Sequence, residues 1–399
     1  MDRRTLVARL AATAVGAPAL AALGPVGSRL STRPALADGP SDDEINRWIR
    51  LATVPSLAMA TVARGRITTR AFGVRRAGEA ERATADTVYS AASLTKLVTA
   101  YVVLDLVLDG RLALDRPVAD VLSLPETVDD RSRSITIRHL LSHSGGWPNW
   151  RFEANDKLAS AFEPGTQWRY SGEGYVFLQR MAEKVTQQGF GRLVRDRVLA
   201  PLGMRHSSMV GREDLTPRLA SAHGSRGEVG RWYGDKLFAE MTRLTTARGV
   251  TLEDATWEEA EAAFRALAPK AAPLPNSLLP NAAASLRTTA ADFGALLLHL
   301  VTAHEHGGRP AEIVTLITTR TIACNDEVAW GLGAGLELVR NRWRSWQWGD
   351  NSGFKNFYTF DAAAGTACVV FTNGDSGAHV WERVIRATDR VDHPAFLFG

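Results

Sequence analysis

Strand-forming sequence is confined to the two ends of this chain, and that distribution constrains the fold more than any other feature. Residues 57–63 and 67–74 are β-rich runs separated by Arg64-Gly65-Arg66, the pattern of a hairpin. Four further runs, 331–339, 343–349, 356–361 and 366–372, follow near the other end, punctuated by Gly, Asn and Asp. A lone hairpin is marginal in water, so the early pair must join the late four in one sheet. From Gly110 to about Thr288 the texture is helical, broken by Gly and Pro. The expected fold is α/β of the α+β kind: an antiparallel sheet flanked by helices, built from both chain ends, with an inserted all-helical domain. Residues 38–108 and 285–399 are assigned to the sheet domain. Residues 109–284 are assigned to the helical domain, with an extra insertion at about 231–279.

Individual helices follow from apolar spacing. Residues 42–51 form one ahead of the hairpin, and 378–389 close the chain. Residues 93–108 are the most apolar, with Leu94, Val98, Tyr101, Val102 and Leu106 at helical spacing. Residues 174–185 are periodic. Residues 256–268 place Thr256 and Glu259 as a capping box and stop at Pro269.

The first 37 residues are of another kind. Arg3-Arg4 precede an apolar run, and Pro34-Ala35-Leu36-Ala37 ends on a small-residue cleavage pattern. Together these make an export signal, with paired arginines of the twin-arginine type. The expected product is secreted or held in the periplasm or cell envelope, beginning near Asp38. Gly16, Pro18 and Gly24 interrupt the run, which falls short of the ~20 residues that span a bilayer, so no stable membrane insertion is expected after cleavage. The leader holds five of the 47 basic residues and one of the 43 acidic ones, leaving 42 of each. The basic balance thus belongs to the leader, and no nucleic-acid partner is expected. Cys324 and Cys368 are expected as free thiols, the second inside a buried strand.

The chemistry-bearing pattern is Ser93-Leu94-Thr95-Lys96. On a helix this spacing stacks serine and lysine one turn apart on the same face, and a helix start favours a developing alkoxide. An amine can take the serine proton only when neutral, so burial must lower its pKa. In the segment Pro164 to Tyr175, Tyr170 falls in a turn before a helix, where its hydroxyl can relay a proton to a leaving group. Gln347-Trp348-Gly349-Asp350 ends a strand, where a glycine lets a substrate carbonyl approach backbone N–H groups.

These three segments, in this order, resemble the penicillin-binding-protein and class C β-lactamase superfamily, which also includes esterases, D-peptidases and acyltransferases. The resemblance runs from about Asp42 to Asn373. It includes Ser90 to Lys96, Ile137 to Ser144, Pro164 to Tyr175, Pro201-Leu202-Gly203-Met204 and Trp330-Gly331-Leu332-Gly333. It implies Ser93 as nucleophile, Lys96 as proton acceptor, Tyr170 as second acid/base, and the N–H groups of Ser93 and Asp350 as the oxyanion hole. Two positions depart from the family pattern. Gly172 stands where the family's Tyr-x-Asn motif has asparagine, and Gln347 where its Lys-Thr-Gly or His-x-Gly motif has a basic side chain. A neutral Gln347 cannot make the charge-assisted bond to a substrate carboxylate, so penicillin recognition is weakened more than hydrolysis.

No metal or other cofactor is expected. His139 and His143 are expected to be structural, and His304-Glu305-His306 to finish a helix. Trp147, Trp150, Trp168 and Trp348 fall near the motifs and are expected to line an apolar pocket. The expected function is an exported serine hydrolase acting through an acyl-enzyme on a small-molecule or peptide ester or amide. The alternatives are an acyltransferase, a D-peptidase or β-lactamase of the same fold, and a non-catalytic binding module.

Overall fold

The structure, a computed structural model, describes residues 39–398 apart from 126, 153–155, 231–232 and 268–279. The export signal, and both ends of the expected insertion, fall outside the described residues. The described chain lies within one compact unit, Ala35–Gly399.

The strands are β1 (Ser56–Ala63), β2 (Arg66–Gly73), β3 (Tyr89–Ser90), β4 (Arg287–Thr288), β5 (Ile322–Ala323), β6 (Val328–Trp330), β7 (Gly335–Val339), β8 (Arg342–Asn351), β9 (Phe354–Asp361) and β10 (Thr366–Thr372). Eight of them form one sheet in the order β2-β1-β10-β9-β8-β7-β6-β5, while β3 and β4 pair separately. Each neighbouring pair in the large sheet is antiparallel. Strands from the chain's two ends meet where β1 pairs with β10, with Leu57 opposite Thr372 and Val62 opposite Ala367.

The run 331–339, read as a single strand, is strand only at Gly335–Val339; residues 331–334 link it to β6, which ends at Trp330. At Gly331 a Cβ would lie 2.0 Å from the Ile317 carbonyl oxygen, and Gly333 takes φ +111° against Ala100. The chain leaves the ladder there to pass over the helices Gly308–Thr318 and Thr95–Leu108, and β6 and β5 extend the sheet edge beyond the break.

Helices cover both faces of the sheet. Asp42–Leu51 and Ala378–Asp389 pack Ile45, Ile49, Val384 and Ile385 against Leu57, Met59, Phe357 and Val370. Ala290–His306 lies across β1 and β10 on the other face, seated closely because a Cβ at Gly294 would come within 3.0 Å of Ala60 and Ile67. Thr95–Leu108 packs against Gly172–Thr186 and Gly308–Thr318. Every residue from Thr95 to Val107 is buried, so its apolar sequence reflects burial all round, not a single stripe. Cys324 and Cys368 are free.

In the region of the expected insertion, helices Tyr233–Thr246 and Trp257–Leu267 bury Met241, Leu244, Trp257, Ala260 and Ala263 against Val176 and Val210. Glu183 holds the second of these in place. It accepts from Trp257 N–H at 2.7 Å, Phe190 N–H at 3.2 Å and Gln179 Nε2 at 3.0 Å. Among the described residues no helix is long and apolar enough to cross a membrane, and no three His, Cys, Asp or Glu side chains gather as a metal ion would require.

Candidate active site

Ser93 sits in a short helical turn, Ala92–Leu94, that runs directly into Thr95–Leu108. Two bonds fix the turn: Thr95 Oγ1 donates to Ala92 O at 2.6 Å, and Leu286 N–H donates to Thr95 Oγ1 at 3.0 Å. Ala92 takes φ +50°, a left-handed conformation in a fully buried alanine. Such a conformation costs on the order of 1–2 kcal/mol and clusters at working sites.

Lys96 is 1 % exposed. Its Nζ lies 3.0 Å from Ser93 Oγ and 2.9 Å from the Ala283 carbonyl oxygen, and 4.9 and 5.3 Å from the ring centres of Tyr170 and Tyr175. Burial pushes its pKa from the usual 10.5 down to about 7.

Tyr170 precedes the helix Gly172–Thr186, which Ser171 caps by accepting from Gly174 N–H at 3.1 Å. Burial holds the pKa of Tyr170 well above the usual phenol value, although Ser93 and Gln347 beside the hydroxyl both favour the phenolate. A serine oxygen, an amine that is readily deprotonated and a protonated phenol thus meet at one point.

β8 supplies the opposite wall. Gly349 lets it press onto the nucleophile turn, where a Cβ would stand 2.6 Å from Ala91 O and 3.3 Å from Ala92. Gln347 is fully buried, with Nε2 3.4 Å from the Tyr170 hydroxyl. Trp348 stacks on Tyr170 at 5.3 Å. The Asp350 side chain turns out to solvent and pairs with Lys355. Gly172 N–H donates to Asn149 Oδ1 at 2.9 Å. A Cβ on Gly172 would fall 2.3–2.7 Å from the Trp150 indole.

These side chains open into a cleft of about 670 Å³ lined by Ser93, Lys96, Tyr170, Trp348, Asp350, Trp150 and Trp168, among others. Trp147, expected to line the pocket, does not reach it. It is 1 % exposed, donates to Ser132 Oγ at 2.9 Å and packs on Phe177, because the turn after Gly146 directs it into the helical layer and leaves Trp150 at the cleft. His139 is structural as expected, accepting from Thr136 N–H at 3.2 Å to cap its own helix. His143 is not remote: its ring lies 4.4 Å from that of Tyr170.

Sequence reasoning missed Leu397 and Phe398, which complete the apolar end of the cleft; Phe398 sits 4.9 Å from Trp168. No motif marks them. A buried polar set holds the segment in place. His393 bonds Glu337 at 2.8 Å and Asp389 at 3.3 Å, and Ala395 N–H donates to Glu337 at 3.2 Å.

Ser93, the buried Lys96 and Tyr170 thus converge at a helix start beside β8, in a fold of helices on both faces of an antiparallel sheet. The chain belongs to the family described as Beta-lactamase, which it matches over residues 46–391. It is 34% identical over 192 residues to Penicillin-binding protein 4 of Amycolatopsis lactamdurans, covering 44% of this chain and 50% of that one. It is 36% identical over 157 residues to Esterase EstB of Burkholderia gladioli, covering 32% and 40%. The matches thus span half or less of these curated relatives. A class C β-lactamase structure shares the fold with TM-score 0.67 at 15% identity, over 87% of this chain and 94% of that one. The penicillin-binding protein homologue from Pyrococcus abyssi aligns with TM-score 0.65 at 18% identity, over 89% and 79%.

Proposed function

We propose that this protein is an exported serine hydrolase that forms an acyl-enzyme on Ser93 and prefers neutral, apolar esters or amides. The observation that carries this is the buried Lys96 amine 3.0 Å from Ser93 Oγ with a pKa near 7. In this reading neutral Lys96 accepts the serine proton as Oγ attacks the acyl carbon. The N–H groups of Ser93 and Asp350 receive the oxyanion. When the tetrahedral intermediate collapses, the C–O bond to the leaving group breaks, Tyr170 O–H protonates that oxygen, and the Lys96 ammonium restores the tyrosine proton. Water then repeats the sequence on the acyl-enzyme. The apolar wall of Trp150, Trp168, Trp348, Leu397 and Phe398 supports an apolar acyl group. Neutral Gln347 offers no cation to a carboxylate. The relatives named for esterase activity agree with this preference. Export rests on the leader at residues 1–37 and its paired arginines.

A fluorophosphonate probe read by intact mass tests the acylation. Wild type should gain one adduct, and Ser93→Ala should gain none while melting as wild type. An adduct on another serine in that variant would remove Ser93 from the role, and no adduct on wild type would favour a binding module.

A further inference from the structure

His143 encloses Tyr170 from three directions. Its backbone carbonyl accepts from Arg169 N–H at 2.8 Å, and its Nδ1 accepts from Ser171 N–H at 3.1 Å. The residues on both sides of Tyr170 are therefore tied to one histidine. Its ring also lies against the Tyr170 ring, centres 4.4 Å apart and planes inclined by 38°. His143 itself is held in the left-handed region at φ +55°, which histidine and asparagine tolerate better than most residues.

The protonation state follows from the bonds. A ring nitrogen that accepts from a backbone N–H carries no proton, so the neutral tautomer bears its hydrogen on Nε2. Nε2 is buried and has no hydrogen-bond partner among the described residues. Around the imidazole are the rings of Tyr175 and Trp330, centres each 5.2 Å from its own, and Trp168 at 6.4 Å. Aromatic faces are weak acceptors, and leaving an N–H to them sacrifices a hydrogen bond. Burial, with the charge of Lys96 second, keeps His143 far below its usual pKa and hence uncharged. A purely packing role is served as well by leucine or phenylalanine, with no orphaned donor; the acceptor at Nδ1 is what those side chains lack.

We propose that His143 is a positioning residue that sets the Tyr170 hydroxyl on the line between Ser93 and the leaving group. The inference rests on the reading of Tyr170 as the acid that protonates the leaving group. A general acid contributes on the order of 10²–10⁴-fold, and a displacement of about 1 Å can forfeit 10²-fold. That contribution depends on what departs. An alkoxide leaves only with a proton, whereas p-nitrophenolate leaves without one. Loss of His143 therefore acts selectively on alkyl esters.

The test compares kcat/KM for ethyl butyrate and p-nitrophenyl butyrate on each preparation, a ratio independent of how much protein is active. His143→Ala and His143→Phe both lack the acceptor. His143→Asn keeps one, because Oδ1 of asparagine sits where Nδ1 of histidine does. The alkyl-to-aryl ratio should fall at least tenfold in the Ala and Phe variants, and the Asn variant should stay within about threefold of wild type. Tyr170→Phe should show the same selective loss, and His143→Ala added to it should lower the ratio no further. Equal loss on both esters in the His143 variants, or a further drop in the double variant, overturns the positioning role. Equal loss on both esters in Tyr170→Phe itself overturns the acid role of Tyr170, and the inference about His143 with it. Fluorophosphonate labelling, whose fluoride leaves unaided, should proceed in the His143 variants at a rate near wild type; its collapse would assign His143 to the turn as a whole instead of to Tyr170.

Discussion

Lys96 Nζ shares itself between Ser93 Oγ at 3.0 Å and the Ala283 carbonyl oxygen at 2.9 Å, and no carboxylate among the described residues forms an ion pair with it. A lysine charged at neutral pH needs such a counter-ion when buried. Here the surroundings are two tyrosine rings and a carbonyl, and burial lowers the pKa of the amine to about 7.

The pH dependence of turnover follows. Activity requires neutral Lys96, so kcat/KM for a p-nitrophenyl ester should rise with pH and level off with an apparent pKa near 7. Stability carries the same signature with a defined sign. The folded pKa lies below the unfolded one, so the unfolded state binds more protons between about 7 and 10.5. The cost of burying Lys96 is complete below pH 7 and fades as pH rises through that window. Lys96→Met should be more stable than wild type by a margin that narrows from pH 7 upward. A flat activity profile from pH 5 to 9 would contradict the first expectation, and a constant margin the second.

In the proposed mechanism Lys96 and Tyr170 share one proton path. Lys96→Ala and Tyr170→Phe should each lower kcat for an alkyl ester by orders of magnitude, and the double variant should be little worse than the weaker single one, as for residues that act as a unit. Strict additivity would place them in separate steps.

Gln347 and Gly172 bear on substrate choice. Gln347 offers a β-lactam no charged group and Gly172 offers it no side-chain amide, so a short-chain p-nitrophenyl ester should exceed nitrocefin in kcat/KM. Nitrocefin ahead by tenfold, about 1.4 kcal/mol in transition-state binding, would return the protein to β-lactam chemistry.

Gly172 and Trp150 compete for one space. Gly172→Ala puts a methyl within 2.3 Å of the indole, and overpacking of this kind costs about 1–3 kcal/mol. Denaturant midpoints should fall in the single variant and recover in Gly172→Ala/Trp150→Ala relative to the sum of the two changes. Additive effects would mean that Trp150 moves aside freely.

Glu183 makes stability fall with rising pH. Burial lifts its pKa from 4.5 to about 8. The folded state therefore holds the proton more tightly, and the stability this group contributes is full below pH 4.5 and lost as pH rises through 8. Glu183→Gln should flatten the dependence of the denaturant midpoint over that window, whatever constant offset its NH₂ causes against Trp257 N–H. An unchanged slope would show that the carboxyl ionises as freely folded as unfolded.

What was legible in the sequence was what local rules encode. Thr366–Thr372 and Ala378–Asp389 appear with the bounds that strand alternation and apolar spacing suggest, and Thr256 with Glu259 caps its helix as read. Ser93, Lys96 and Tyr170 were legible because each has a motif. The break at Gly331–Gly333 was not, since it depends on a carbonyl contributed by Ile317 from another helix. Trp147 and Trp150 differ by three positions, and only the loop's path decides which one faces the cleft. Leu397 and Phe398 reach the site through Glu337 and Asp389, a tertiary arrangement with no local trace. His143 read as structural because nothing in 139–144 reveals that Ser171 N–H will come to meet it.

The pairing of β1 with β10 has a consequence for how the protein is made. Met59 finds its cross-strand neighbour in Val370, so the hairpin formed by the first strands to leave the ribosome has an open edge until the last strand is synthesised. Contacts so distant along the chain carry a loop-closure cost that slows folding, and exposed strand edges invite wrong partners while they wait. A chain that stops short of Thr366 therefore lacks the strand that joins β1 to β9, and the early hairpin keeps an unpaired edge.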